Sequence, residues 1–292
     1  MGIPESQLAT WSNQGATTSS ANTYTSIKTA LDQHKWPAGM VYDPYLQGSY
    51  PNFTNIRSNS DVDVVVEMTS MFFSDLTDEE KQARRLSPSG ITYDDFRREV
   101  ISALTSYFGA ANVDSTVPNA ITVAASGSRL KADVLPAIQY REYKHGYTPV
   151  EGIKFWNQHT YEEKINFPKI HIDNGQTKNQ NGTSQRYKPG VRMMKNAREC
   201  IIGSDDNLRK QYPSYFLECL LFNVPDNHFV PSRQDTYVNI VNFLHPALND
   251  ARGPAFTTQS KQRLLFGFDS TQWSLVNAQS FVRDLISLWN KS

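Results

Sequence analysis

GSYPNFTNIRSNSDVDVVVEM, residues Gly48 to Met68, is the stretch that decides the fold. A Gly-Ser pair and a polar loop lead to Asp61 and Asp63, one residue apart, at the mouth of a valine-rich run. β-Branched residues in such a run predict a strand. Side chains two apart on a strand share a face, so Asp61 and Asp63 project together while Val62 and Val64 face the other way. Two carboxylates so placed repel each other, and nearness to a core makes their charge more costly. A pair of divalent cations neutralises them: Mg2+ prefers carboxylate oxygens and phosphates, and two ions clamp the attacking and leaving oxygens of a phosphoryl transfer. That chemistry calls for a third carboxylate on a neighbouring strand, and Asp133 in the apolar stretch KADVL is the candidate. Gly48 has no side chain, so a phosphate can approach its backbone. Ser49 adds a hydroxyl and an amide, and a turn of this kind is a phosphate cradle. Each feature alone has an ordinary reading: a turn for Gly-Ser, a loop or strand end for Asp-x-Asp, an edge charge for Asp133. Their combination in this order is far more specific.

Outward from this stretch, the chain of 292 residues is long enough for one large domain or two ordinary ones, and 39% of it is hydrophobic. The 29 basic and 29 acidic residues balance, which excludes a protein that coats DNA or anionic membrane by bulk charge but leaves room for a local basic cleft. Cys200 and Cys219 fall in helix-like segments and suggest free thiols in a reducing compartment. No window is long and apolar enough to span a membrane, and the N-terminal sequence lacks a basic-then-apolar leader pattern. The expected setting is the bacterial cytoplasm, with no membrane partner. The six histidines show no metal-like spacing, and no Walker loop, dinucleotide-binding glycine run or Ser-His-Asp constellation is present.

Periodicity predicts a helix at ANTYTSIKTALDQH, with Tyr24, Ile27 and Leu31 on one face. Thr77 and Glu80 form a capping box. A strong amphipathic helix follows at TYDDFRREVISALTSYFG, where Phe96, Val100, Leu104 and Phe108 recur and Gly109 can end it. YDPYLQG, VDVVVEM, AITVAA and RLKADVLPAIQYREY read as strands. After about residue 165 helical patterns dominate: GVRMMKNARECII, YPSYFLECLLFNV, YVNIVNFLHPAL and SFVRDLISLWNKS. The expected fold is α+β, a mixed-sheet core over residues 1–165 and a helical lobe over 166–292, with the site in a cleft between them.

Gly48-Ser49, Asp61, Asp63 and Asp133 match the signature of the polymerase-β-like nucleotidyltransferases. More narrowly, LQGSYPNFTNIRSNSDVDVVVEM and SRLKADVLPAIQYREY resemble the bacterial CD-NTases, relatives of cyclic GMP-AMP synthase and oligoadenylate synthase. The resemblance extends over roughly residues 20 to 290. It implies a synthase of cyclic di- or trinucleotide second messengers for anti-phage (CBASS) signalling. Asp61, Asp63 and Asp133 would hold two Mg2+ ions, with Mn2+ able to substitute, and NTPs would be the substrates. A downstream effector would read the product, and a regulatory or C-terminal-conjugating protein would be a partner. The family also uses a lysine on one helix and a Ser-Tyr pair further on. By resemblance, Lys195 and Ser214 would hold the donor triphosphate and Tyr215 would stack on a base. Arg192, Lys195 and Arg198 recur at helical spacing as one basic stripe, whose ordinary reading is a solvated face. For Tyr215 the ordinary reading is core packing. In HIDNGQTKN, Asn174 is placed to read a base edge by resemblance, although the Asn-Gly step reads more simply as a turn. No zinc ribbon is present, so duplex nucleic acid is not expected as an activator. A synthase of linear oligonucleotides, an enzyme modifying RNA or protein, and a nucleotide-binding pseudoenzyme stay open as alternatives.

Overall fold

The computed structural model describes residues 2–15, 17–56, 61–144, 147–269 and 271–292. The chain divides into two compact units. One comprises Ala16–Tyr50 and Ser58–Lys169 and carries the sheet; the other comprises Met1–Gly15, Pro51–Arg57 and Ile170–Ser292 and is helical. The division therefore differs from a single cut at 165/166. The first residues join the helical unit because Ile3 and Leu8, the latter on α1 (Glu5–Trp11), are buried in its apolar cluster.

In the sheet unit, α2 (Thr18–Asp32) is followed by β1 (Tyr42–Gln47), β2 (Val62–Ser74), α3 (Asp78–Ala83), α4 (Tyr93–Phe108), β3 (Val113–Asp114), β4 (Ile121–Val123), β5 (Ala132–Glu142), β6 (Val150–Trp156) and β7 (Glu163–Asn166). The seven strands form one mixed sheet in the order β1-β2-β5-β4-β3, with β6 pairing β5 and β7. Among the described residues, only β2 and β5 pair in parallel within this sheet. Val62, Val64, Val65, Val66 and Met68 are fully buried, so β2 is a two-sided core strand and reads as a continuous apolar run. The α4 helix starts with a capping box between Thr92 and Asp95 and stops at Gly109, whose φ is +84°. It lays Phe96, Val100 and Leu104 into the same core; each such side chain contributes roughly 1.5–3 kcal/mol. The Thr77–Glu80 capping box is present as well, at the start of α3.

The helical unit holds α1, most of α5 (Pro168–Thr177), α6 (Tyr187–Ile202), α7 (Asp206–Gln211), α8 (Ser214–Phe222), α9 (Arg233–Ala247) and α10 (Leu275–Lys291). HIDNGQTKN is helical, not a turn. It lies in α5 and a single π-turn, Lys178–Gly182, because helix packing buries His171 and Gly175 on one side. Tertiary contact thus overrides the local preference of Asn-Gly.

Among the described residues no helix is long and apolar enough to cross a membrane.

Candidate active site

The parallel pairing of β2 with β5 places Asp63 opposite Asp133, and β1 sets Gln47, the residue before Gly48, opposite Asp63. Asp61 lies just before β2, where the Val62 amide donates to the Lys131 carbonyl at 2.9 Å. Gly48 has a φ of +76°, and a Cβ there would lie 2.3 Å from Asp63 Oδ2. Both the left-handed backbone and the space demand glycine. The Gly-Ser turn therefore sits directly against the second aspartate.

Two residues that sequence reasoning passed over complete this cluster. Lys131 Nζ lies 2.7 Å from Asp61 Oδ2 and 3.6 Å from Asp133 Oδ1. Thr122, directly across from Asp133 on β4, donates its hydroxyl to Asp133 Oδ1 at 2.7 Å. Alternation along β5 was the available signal, since Lys131 and Asp133 are two apart. One ammonium cannot balance three carboxylates. Burial first, then the charges of Asp133 and Asp61, push the Asp63 carboxyl up to about 7, with Lys131 pulling the other way.

Among the described residues no three acidic, His or Cys side chains converge as a ready-made metal cage; Asp61 is instead paired with Lys131. The donor set nevertheless fits a hard divalent cation: it is all carboxylate oxygen, carries surplus negative charge, and lies beside a glycine with no side chain in the way.

The other residues singled out from the sequence lie in the helical unit. Lys195 is buried, and its ammonium is held by the Glu218 carboxylate, by the Thr54 carbonyl at 3.2 Å and by the Thr54 hydroxyl at 3.2 Å. Arg198 is buried too, donating to the Tyr212 carbonyl at 3.0 Å and to Ser214 Oγ at 2.8 Å. Arg192 donates to the carbonyls of Ser12 at 2.6 Å and Phe53 at 2.5 Å. The basic stripe of α6 is thus not a solvated face. Ser214 opens α8, and Tyr215 follows it with 41% of its surface exposed, its ring stacked 4.9 Å from that of His171. Asn174 donates its amide to the Gln259 carbonyl at 2.9 Å. Glu218 was missed, yet it is the one charge in the apolar run SYFLECLLF. Burial would raise its carboxyl, but Lys195 and His171 outweigh that and hold it down at about 2.

Comparison with known proteins agrees with this architecture. Residues 173–290 match the C-terminal helical domain of the cGAS/DncV-like nucleotidyltransferases. The cyclic UMP-AMP synthase of Rhodothermus marinus is 43% identical over 99% of this chain and 98% of its own length. The solved structure of that organism's CdnE c-UMP-AMP synthase with Apcpp and Upnpp has a TM-score of 0.92, with 42% identity over 99% of this chain and 97% of the other. The CdnE cyclic dinucleotide synthase of Elizabethkingia meningoseptica, solved with GTP and Apcpp, gives a TM-score of 0.81 at 27% identity, covering 98% of both chains. The chain belongs to the CD-NTase family of cGAS/DncV-like nucleotidyltransferases. It is a nucleotidyltransferase of the cyclic oligonucleotide synthase kind.

Proposed function

We propose that this chain joins two nucleoside triphosphates into a cyclic dinucleotide, using Asp61, Asp63 and Asp133 as its catalytic carboxylates. The observation that carries the reading is the register: Asp63 opposite Asp133 on parallel strands, with the glycine of a Gly-Ser turn against Asp63. The Gly48-Ser49 turn binds the donor triphosphate. A ribose hydroxyl of the acceptor attacks the donor α-phosphorus. Asp133, whose Oδ1 is taken by Thr122, receives the hydroxyl proton on Oδ2. The new P–O bond forms as the bond to the β-phosphate breaks, and pyrophosphate leaves. A second transfer within the linear intermediate closes the ring and releases a second pyrophosphate. Mg2+ ions, or Mn2+ in their place, would be held by the three aspartates and would neutralise the triphosphate and the charge that develops on it. The Ser214 hydroxyl accepts from Arg198 and keeps its own hydrogen for a phosphate oxygen. The exposed part of the Tyr215 ring offers a stacking surface to a base. Asn174, its amide engaged, keeps its carbonyl oxygen for a base edge.

In this reading the product is a second messenger of the bacterial cytoplasm. It is sensed by an effector in anti-phage defence, with a partner protein setting when synthesis starts. The relatives named for cyclic UMP-AMP, dipyrimidine and dipurine products show that base choice differs between chains of this kind. Labelled ATP, GTP, CTP and UTP, alone and in pairs with Mg2+ or Mn2+, followed by phosphatase and mass spectrometry, test the reading. A phosphatase-resistant cyclic dinucleotide is expected. Only phosphatase-sensitive linear products, or none under any condition, would overturn it.

A further inference from the structure

Just past the Gly48-Ser49 turn, the chain is fastened at three consecutive carbonyls. Phe53 O accepts from Arg192 at 2.5 Å, Thr54 O from Lys195 at 3.2 Å, and Asn55 O from the Gly15 amide at 3.0 Å. The Thr54 hydroxyl donates to Glu218 Oε1 at 2.6 Å and accepts from Lys195. His171 Nε2 lies 3.3 Å from the other Glu218 oxygen. Thr54, Lys195, Glu218 and His171 are all buried. Phe53 itself holds a φ of +56°, a conformation that a non-glycine residue keeps only where its surroundings impose it. Here the imposing partner is Arg192. Residues 53–55 belong to the helical unit, and only Tyr50 to Asn52 separate them in sequence from Ser49.

We infer that Arg192, Lys195 and Glu218 act as positioning residues, fixing residues 53–55 so that the Gly48-Ser49 turn is held ready for the triphosphate. The Lys195 ammonium, both Glu218 oxygens and the Thr54 hydroxyl are all paired within buried surroundings, which favours one conformation, and α6 supplies two of the donors, Arg192 and Lys195, one helical turn apart. The inference rests on the reading of Gly48-Ser49 as the phosphate cradle.

The test is a double-mutant cycle read by calorimetric binding of a non-hydrolysable NTP analogue to the full chain. Thr54→Val keeps shape and removes the hydroxyl. It should weaken the analogue about tenfold and leave a nucleoside monophosphate unchanged. Ser49→Ala should weaken the analogue at least as much. In the double variant the losses should not multiply, because both act through one turn. Arg192→Met, which frees the Phe53 carbonyl by a different route, should repeat the pattern and guards against a Thr54 variant that folds poorly. Unchanged analogue binding by Ser49→Ala would sink the cradle reading and the inference with it. A normal Ser49→Ala loss, with Thr54→Val and Arg192→Met neutral, multiplying or equally harmful to the monophosphate, would overturn the positioning role alone.

Discussion

The charged residues of β2 and β5 and those of α6 look alike on paper and are treated in opposite ways. Around Asp63 the fold concentrates negative charge and leaves it poorly balanced: three carboxylates, one half-exposed lysine, and a carboxyl driven up to about 7. Along α6 the cations lie within the unit and are engaged by Glu218, Glu199, Ser214, Gln176 or a backbone carbonyl. An under-compensated cluster costs stability in the free protein and gains when a cation or substrate arrives. A compensated one contributes to a unique fold and has little left for a ligand. On the proposed reading, the first carries the chemistry and the second mainly holds the fold.

The contrast breaks most decisively at the aspartates. Asp63→Asn combined with Asp133→Asn should lower product formation by roughly 10³-fold or more. The melting temperature of the chelator-treated protein should hold or rise by a few degrees, because a repelling half-buried pair has been removed. Normal turnover, or collapse of the fold, would mean that these side chains are structural after all.

Next comes Gly48→Ala. The new methyl would stand 2.3 Å from Asp63 Oδ2 at a φ of +76°, so turn or aspartate must move. A displacement of about 1 Å at a reacting centre costs roughly 10²-fold in rate. Steady-state kinetics should show that loss with a modest change in melting temperature. Wild-type kinetics would separate the turn from the site.

Glu218 probes the other side. Glu218→Ala leaves Lys195 buried without its counter-charge, which costs about 3–5 kcal/mol and should lower the melting temperature by about 10 °C. The pH dependence has a definite sign. The carboxyl is held at about 2 in the fold, below its ordinary value near 4.3 in an unfolded chain. Its contribution is therefore complete above about pH 5 and is lost as the pH falls from there towards 2. Acid unfolding curves of Glu218→Gln should lack that part of the acid limb. An unchanged limb would show that the pair is not what compensates the α6 cations.

How much of this was legible in the sequence follows the same line. The sheet core and its aspartates could be read because strand alternation is rigid: Asp63 two residues from Asp61, inside a valine run, has few other meanings. The short strands Val150–Trp156 and Glu163–Asn166 escaped notice, since EKIN has neither a β-branched run nor a clear turn before it. On α6 the helix was legible but the environment was not. A three-residue spacing of Arg192, Lys195 and Arg198 states only that they share a side; Glu218 and Thr54, remote in sequence, decide whether that side meets water. Asn174 shows the same limit, as Asn-Gly chemistry yields to packing around Gly175, where an added Cβ would lie 2.4 Å from the Gln259 amide.

The smallest expected effect is the response to duplex nucleic acid, and it follows from the buried stripe. A protein triggered by duplex must neutralise several phosphates with exposed cations, and its activity then falls steeply with salt. Here basic and acidic residues are equal in number. Three of the four cations on α6, Lys188, Lys195 and Arg198, are buried, and Arg192 is bonded to the Ser12 and Phe53 carbonyls. Elsewhere exposed cations are often paired with neighbouring acids, as in Lys28–Asp32, Lys81–Asp78 and Arg98–Asp95. Purified protein with NTPs and Mg2+ should therefore make product at nearly the same rate, within about twofold, with or without duplex DNA or RNA. Stimulation of tenfold or more that disappears between low and moderate salt would show a working basic surface, and the assignment of the helical cations to architecture alone would have to be given up.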